Sequence, residues 1–221
     1  MKTATPRLET LPQSQRNLWS DLGAAGSDFV LYGGTALSLQ VGGRQSLDFD
    51  FFTPRPLDPG SLSERFHFLR DATLIQRGAA TASYSVNCPD PVKVSFFGTL
   101  DFGRVDQPCR FPDNGLIAAG LLDLAAQKVK VVQQRAGKKD YIDICTLLEN
   151  GITLEQALGA ARSLYPQFNP MISLKALTFF SDGDLRTLSE QYQNLLVASV
   201  ARVREIPVIP KLSPSLLADP E

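Results

Sequence analysis

Two carboxylates, Asp48 and Asp50, stand two apart in Leu47-Asp48-Phe49-Asp50-Phe51-Phe52. The alternation predicts a strand, ended by Pro54 and Pro56. Residues two apart on a strand share a face. Asp48 and Asp50 would therefore point one way, and Leu47, Phe49 and Phe51 the other way, into a core. Neighbouring carboxylates repel unless a cation sits between them. Mg²⁺ binds through carboxylate oxygens and substrate phosphates, which suits such a pair. Upstream, the β-prone Phe29-Val30-Leu31-Tyr32 runs into Gly33-Gly34, and a short helix follows from Thr35, a candidate cap, to Gln40. Glycines at a strand–helix turn let backbone approach a ligand closely. The first amides of the helix favour phosphate oxygens. No Gly-Lys-Ser/Thr follows, so the turn is not a P-loop, and it lacks the third glycine of a dinucleotide fingerprint. Double glycines and solvent-facing aspartates are each common. Their combination in strand–turn–helix–strand order is what points to nucleotide chemistry.

The elements that must hold these residues fit an ordinary folded chain. The protein has 221 residues, with 22 Lys+Arg against 23 Asp+Glu, a formal net charge of −1. That length suits one domain, or a domain with a helical annex. A composition 43% hydrophobic and 20% charged excludes wholesale disorder. The balanced charge gives no argument for a strong nucleic-acid or membrane partner, although a local basic patch stays compatible with it. Cys88, Cys109 and Cys145 are widely spaced, with no CxxC, and read as reduced thiols in a cytoplasmic protein. The start carries no apolar core of a signal peptide, and no apolar run reaches the roughly 18 residues of a membrane span. His67 is the only histidine and reads as a partly buried helix residue, so a His/Cys zinc site has few candidates.

Helical spacing covers 11–22 and 61–70, and strands are expected at 74–75, 82–86 and 92–97. Residues 101–115 read as loop. Helices are expected at 116–135, 141–149, 154–164, 174–180 and 185–203, before a proline-rich extended tail from Ile206. A mixed front followed by a helical back predicts an α+β fold: a mixed sheet flanked by helices, with a C-terminal helical part. The soft boundary gives a core over 10–110 and a helical part over 111–221 packed on it, within what could be a single domain.

Leu31-Tyr32-Gly33-Gly34-Thr35-Ala36-Leu37, followed by Arg44-Gln45-Ser46-Leu47-Asp48-Phe49-Asp50-Phe51, resembles the opening motif of the AbiEii/AbiGii toxin family of polymerase-β-like nucleotidyltransferases. A second block resembles that family's helical motif: Asp123 to Lys128, then Arg135, then Lys138-Lys139-Asp140-Tyr141-Ile142-Asp143-Ile144. The resemblance spans about residues 10–150. It implies a nucleotidyltransferase that moves a nucleoside monophosphate from a nucleoside triphosphate to an acceptor hydroxyl. Gly33, Gly34 and Thr35 would hold the triphosphate, with Arg44 and Ser46 shaping the turn or touching phosphate. Asp48 and Asp50 would ligate Mg²⁺ or Mn²⁺. Lys128 would reach the phosphates, with Arg135 beside it. Asp140 and Asp143 would orient Lys128 and Arg135, or position the acceptor. The plainer reading of Asp140 and Asp143 is helix capping and ion pairing to Lys138 or Lys139. The acceptor implied is an RNA end, such as tRNA, or a protein. The role implied is the toxin of a toxin–antitoxin pair with a cognate antitoxin, away from membranes.

One position departs from the family pattern. A third acid commonly follows a lysine on a later strand. Here Val92-Lys93-Val94-Ser95 keeps Lys93, and Ser95 stands in the acid's place. Lys93 and Ser95 share a face and can still line the pocket. A serine is a poor general base, which leaves two alternatives beside the family activity. One is nucleotidyl transfer to a small molecule. The other is a degenerate member that only binds nucleotide or protein.

Overall fold

In the computed structural model, which describes residues 1–218, the chain divides into two units. One is built from Met1–Gly103, Gln107–Gly120 and the segment from Ser213, and the other from Arg104–Asp106 and Leu121–Leu212.

The first unit is organised by a mixed sheet. Its strands are β1 (Lys2–Thr3), β2 (Val30–Tyr32), β3 (Asp48–Phe52), β4 (Thr73–Gly78), β5 (Thr81–Asn87), β6 (Pro91–Phe97), β7 (Cys109–Arg110) and β8 (Ile117–Ala118). Their order is β1-β7-β8-β2-β3-β6-β5-β4. β2 runs antiparallel to β3, and β3 parallel to β6. Helices α1 (Gln13–Leu18), α2 (Gly33–Val41) and α3 (Pro59–Arg65) complete this unit. It is the α+β architecture expected from the sequence.

Alternation explains β3. Phe49 and Phe51 are fully buried, while Asp48, Asp50 and Phe52 are half-buried on the other face. Phe51 stacks on Phe96 of β6 at 5.4 Å, and Phe29 and Phe66 meet Phe96 at 5.5 and 5.0 Å. Each fully buried ring of this kind stabilises by about 2–3 kcal/mol. Leu47 corrects the alternation reading: it is 55% exposed, because β3 begins only at Asp48. The helical run expected over 61–70 also breaks. Phe66 turns fully inward, and a single 3-10 turn, His67–Leu69, leaves His67 exposed. Likewise α1 stops at Leu18, and Asp21–Ala25 forms a separate 3-10 turn.

The second unit is helical: α4 (Leu121–Val131), α5 (Lys138–Glu149), α6 (Leu154–Leu164), α7 (Pro170–Ala176) and α8 (Glu190–Arg202). α5 and α6 pack on α4. A capping box starts α6: Thr153 accepts from the Gln156 amide at 3.2 Å, and Gln156 accepts from the Thr153 amide at 2.9 Å. Pro170 starts α7 ahead of the expected segment, with Asn169 capping it. Ser173 is buried on α7 and donates to the Val129 carbonyl at 2.6 Å, which pins α7 to α4. The tail is extended over 206–211, as expected, but residues 212–217 run through a series of bends, and residues 219–221 of the expected tail lie outside the described residues. The Ser163 hydroxyl donates to the Ile209 carbonyl, and a side chain at Gly159 would collide with the Pro207 carbonyl, so the tail lies directly on α6.

Asp123, in the first turn of α4, is buried and accepts from the Val105 amide at 2.8 Å and the Asp106 amide at 3.3 Å. Burial pushes its carboxyl up to about 7 from an ordinary 3.8, the two amides lower it, and Asp106 nearby raises it further. Between these values the folded state holds a proton that the unfolded state has lost, so stability falls as pH rises from about 4 to 7 and levels off above. At ~1.4 kcal/mol per pKa unit, the full effect is of order 4 kcal/mol. Asp123→Asn, which resembles the protonated acid, is expected to flatten this slope. Urea denaturation at pH 8 should show the variant to be more stable than wild type, and the difference should vanish near pH 4.

Candidate active site

The double glycine is explained by what surrounds it. Gly33 has φ +77°, a left-handed conformation that favours glycine. A Cβ placed there would lie 2.7 Å from Asp50 Oδ2. A Cβ at Gly34 would lie 2.7 Å from Arg44 Nη2 and 3.0 Å from Ser46 Oγ. The space that side chains would fill at both positions is thus taken by Asp50, Arg44 and Ser46. These three converge on the first turn of α2, whose N-cap residue Tyr32 makes no side-chain capping bond and whose own residues include no acid. Orphan amides with a partial positive charge face that point.

Gly33→Ala and Gly34→Ala are expected to differ. The first forces a left-handed alanine against a short, fixed carboxylate and should destabilise by about 1–3 kcal/mol. The second meets the far end of a long Arg44 side chain, which can move, and should change stability by under about 1 kcal/mol. Thermal unfolding of the two variants checks this.

Asp48 and Asp50 are held from three sides. Thr35 is fully buried, and its hydroxyl donates to the Asp48 carbonyl at 2.5 Å, tying α2 to β3. Thr35 is therefore a positioning residue here, with its hydroxyl turned away from solvent. On the neighbouring strand, Asp48 is in register with Lys93 and Asp50 with Ser95. Parallel partners share a face, so Lys93 and Ser95 lie beside the acid pair. Lys93 is exposed. Ser95 is fully buried and accepts from the Ser83 hydroxyl at 3.0 Å, so its oxygen is engaged inside the sheet layer and does not face solvent. Ser83, its register partner on β5, is a residue that sequence reasoning missed. Only the β5–β6 register pairs it with Ser95. Two further acids near this strand in sequence, Asp90 and Asp101, do not replace the third acid. Asp90 sits in the β5–β6 turn, where its carboxylate accepts from Ser14 at 3.0 Å. Asp101 lies beyond Phe97, past the far end of the strand from Asp48.

The second motif forms a charge cluster in the helical unit. The Lys128 ammonium lies 2.8 Å from Asp140 Oδ1 and 2.7 Å from Asp143 Oδ2. Arg135 Nε lies 2.8 Å from Asp140 Oδ2, and its Nη2 donates to Oδ1 at 3.2 Å. Lys128, Asp140 and Asp143 are buried, and Arg135 is mostly exposed. Burial alone would raise the Asp140 carboxyl, but the bonds from Arg135 and Lys128 and their charges outweigh it, and it sits below the ordinary range. Asp140 is paired with Lys128 and Arg135, and Asp143 with Lys128. Lys138 donates to Thr187 at 3.0 Å.

Comparison with known proteins agrees with this geometry. The family described as "Nucleotidyl transferase AbiEii toxin, Type IV TA system" matches residues 18–206. The chain belongs to the AbiEii nucleotidyl transferase toxin family. That match takes in both the glycine–carboxylate site and the charge cluster. A relative in Aquifex aeolicus (strain VF5), the uncharacterized protein aq_aa25, is 32% identical over 160 residues, which are 71% of this chain and 76% of that one. Two solved structures share the fold. A candidate nucleotidyltransferase from H. pylori aligns with TM-score 0.58 at 17% identity, covering 85% of this chain and 92% of that one. MenT4, a nucleotidyltransferase toxin from Mycobacterium tuberculosis H37Rv, aligns with TM-score 0.55 at 14% identity, covering 85% and 83%.

Within this AbiEii-family chain, the described residues contain no group of three or more His, Cys, Asp and Glu side chains fit to hold a metal. The acid pair would supply two ligands. Mg²⁺ characteristically takes one or two carboxylates and completes its shell with substrate phosphates and water, so the pair fits it.

Proposed function

We propose that the first unit binds a nucleoside triphosphate with Mg²⁺ or Mn²⁺ and transfers its nucleoside monophosphate to an acceptor hydroxyl. The observation that carries this reading is the convergence of Asp50, Arg44 and Ser46 on a double glycine at an uncapped helix start. The α2 amides, with Arg44 and Ser46, bind the β- and γ-phosphates. Asp48 and Asp50 hold the divalent ion, which when bound neutralises charge on the α-phosphate. Lys93 adds positive charge beside Asp48. The acceptor oxygen bonds to the α-phosphorus as the bond to the bridging oxygen breaks, and pyrophosphate leaves toward the glycine turn. With Ser95 engaged by Ser83, no side-chain base is assigned, and the hydroxyl proton passes to solvent. Rate enhancement then rests on positioning and electrostatics. Lys128, Arg135, Asp140 and Asp143 serve to position one another in the helical unit.

In this reading the protein is the toxin of a toxin–antitoxin pair, opposed by a cognate antitoxin. Its three free thiols support a cytoplasmic setting. Among the described residues no helix is long and apolar enough to cross a membrane. The buried Ser83–Ser95 pair favours one second reading, a member that binds nucleotide without transferring it. Incubation with α-labelled nucleoside triphosphates and Mg²⁺ over cellular RNA and protein separates the two. Label in either pool supports transfer. Mg²⁺-dependent binding with no label in any pool supports the second reading.

A further inference from the structure

Asp48 heads a row of side chains that crosses the sheet. Asp48 on β3 is in register with Lys93 on β6, Lys93 with Ser85 on β5, and Ser85 with Thr73 on β4. Register partners on neighbouring strands share a face and stand about 5 Å apart. The row therefore reads acid, cation, hydroxyl, hydroxyl. It is accessible: Asp48 and Ser85 are half-buried, and Lys93 and Thr73 are exposed. The next row differs. There Asp50 is followed by Ser95 and Ser83, both buried and bonded to each other. Strand order gives the accessible row a direction. β2, with the glycine turn directly after it, flanks β3 on one side, and β6 and β5 lie on the other. The acid pair thus stands between the glycines and the Lys93–Ser85 row. Attacking and leaving oxygens in phosphoryl transfer lie roughly in line. With pyrophosphate leaving toward the glycines, the attacking oxygen comes from the Lys93–Ser85 side.

The side chains around this row decide which acceptor can react. Ser95 is engaged by Ser83, Asp90 accepts from Ser14, and Asp101 follows the far end of β6. His67, the only histidine of the chain, stands in a 3-10 turn between α3 and β4. None of these is placed to take a proton from an acceptor. An alcohol stays protonated near neutral pH and is a weak nucleophile without a base. A phosphate monoester gives its last proton to water with a pKa of about 6. A cation and a hydroxyl side by side hold such a group by charge-assisted hydrogen bonds. We infer that the acceptor hydroxyl is that of a phosphate monoester, held by Lys93 and Ser85. Its ionised oxygen bonds to the α-phosphorus as the bond to the bridging oxygen breaks. Pyrophosphate leaves and the product is a phosphoanhydride, the acceptor's proton having already passed to solvent. This inference rests on the transfer reading above and names its acceptor class.

The test uses the full chain, α-labelled nucleoside triphosphates with Mg²⁺, and three probes. These are ribose 5-phosphate, an RNA oligonucleotide with a 5′-phosphate, and the same oligonucleotide with a 5′-hydroxyl. Label is expected on a phosphate probe, in a linkage that phosphatase leaves intact and nucleotide pyrophosphatase cleaves. Label on ribose 5-phosphate marks a small acceptor, and label on the phosphorylated oligonucleotide alone marks an RNA end. The rate should rise to about pH 6–7 and then level off, as the acceptor ionises. An alcohol acceptor without a base would give a rate still climbing about tenfold per pH unit at pH 8. Ser85→Ala should raise KM for the phosphate probe by about tenfold, with kcat and Mg·triphosphate affinity little changed, and Ser85→Thr should restore it. Equal label on the 5′-hydroxyl and 5′-phosphate oligonucleotides overturns the inference. So does Mg·triphosphate binding with no label on either phosphate probe, or a Ser85→Ala variant with wild-type KM. If wild type binds no triphosphate with Mg²⁺, the transfer reading itself fails, and the acceptor class falls with it.

Discussion

Asp48→Asn/Asp50→Asn is expected to lower nucleotidyl transfer by about a thousandfold or more while the protein stays folded. Both carboxylates are half-buried on the face of β3 opposite Phe49 and Phe51, on which the packing of that strand rests. Asparagine keeps the shape, so the Thr35 bond to the Asp48 carbonyl and the register with β6 persist. What disappears is negative charge at the point where a divalent ion must sit. The two single variants should each lose nearly as much as the double, because one carboxylate alone does not rebuild the site and residues acting as a unit are not additive. Label transfer, with thermal unfolding as the fold control, reads both parts. A double variant that kept a tenth of wild-type transfer would separate the acid pair from the chemistry.

The second large effect concerns stability. Lys128→Met should destabilise the helical unit by about 3–5 kcal/mol, since it removes the buried cation that Asp140 and Asp143 share. Replacing all three members (Lys128→Met/Asp140→Asn/Asp143→Asn) should recover much of that loss, because no uncompensated charge remains. Arg135→Ala, at an exposed partner, should cost no more than about 1 kcal/mol. The Asp140 carboxyl is held below its ordinary value. It therefore contributes stability above the unfolded carboxyl's pKa, and this is lost as pH falls through the lower folded value. The Lys128→Met variant should lack that acid limb. Urea denaturation of the four proteins across acid pH gives all of these quantities.

The site was readable in the sequence where its signals are local. Asp48 and Asp50 share a face because a strand has period two, and Gly33-Gly34 marks a turn whose first position favours glycine. The fold class followed from the order of strand-like and helix-like segments. The missing parts are those that local signals do not carry. β1, β7 and β8 are two residues each, too short for any period, and are held by partners distant in sequence. Leu47 was assigned inward because alternation was carried one residue past the real start of β3. Sequence adjacency offers Asp140 and Asp143 only Lys138 and Lys139, whereas the packing of α4 on α5 brings Lys128 to both. Ser95 was read as facing the pocket, because only the β5–β6 register reveals the Ser83 hydroxyl that engages it.

The central claim is that the glycine turn and the acid pair form one nucleotide site. Calorimetric titration of the four nucleoside triphosphates, with and without Mg²⁺, into wild type and Asp48→Asn/Asp50→Asn tests it most directly. The account expects binding of at least one triphosphate that requires Mg²⁺ and is lost in the variant. Folded wild-type protein that binds none of the four with Mg²⁺, or a variant that binds as tightly as wild type, would contradict it.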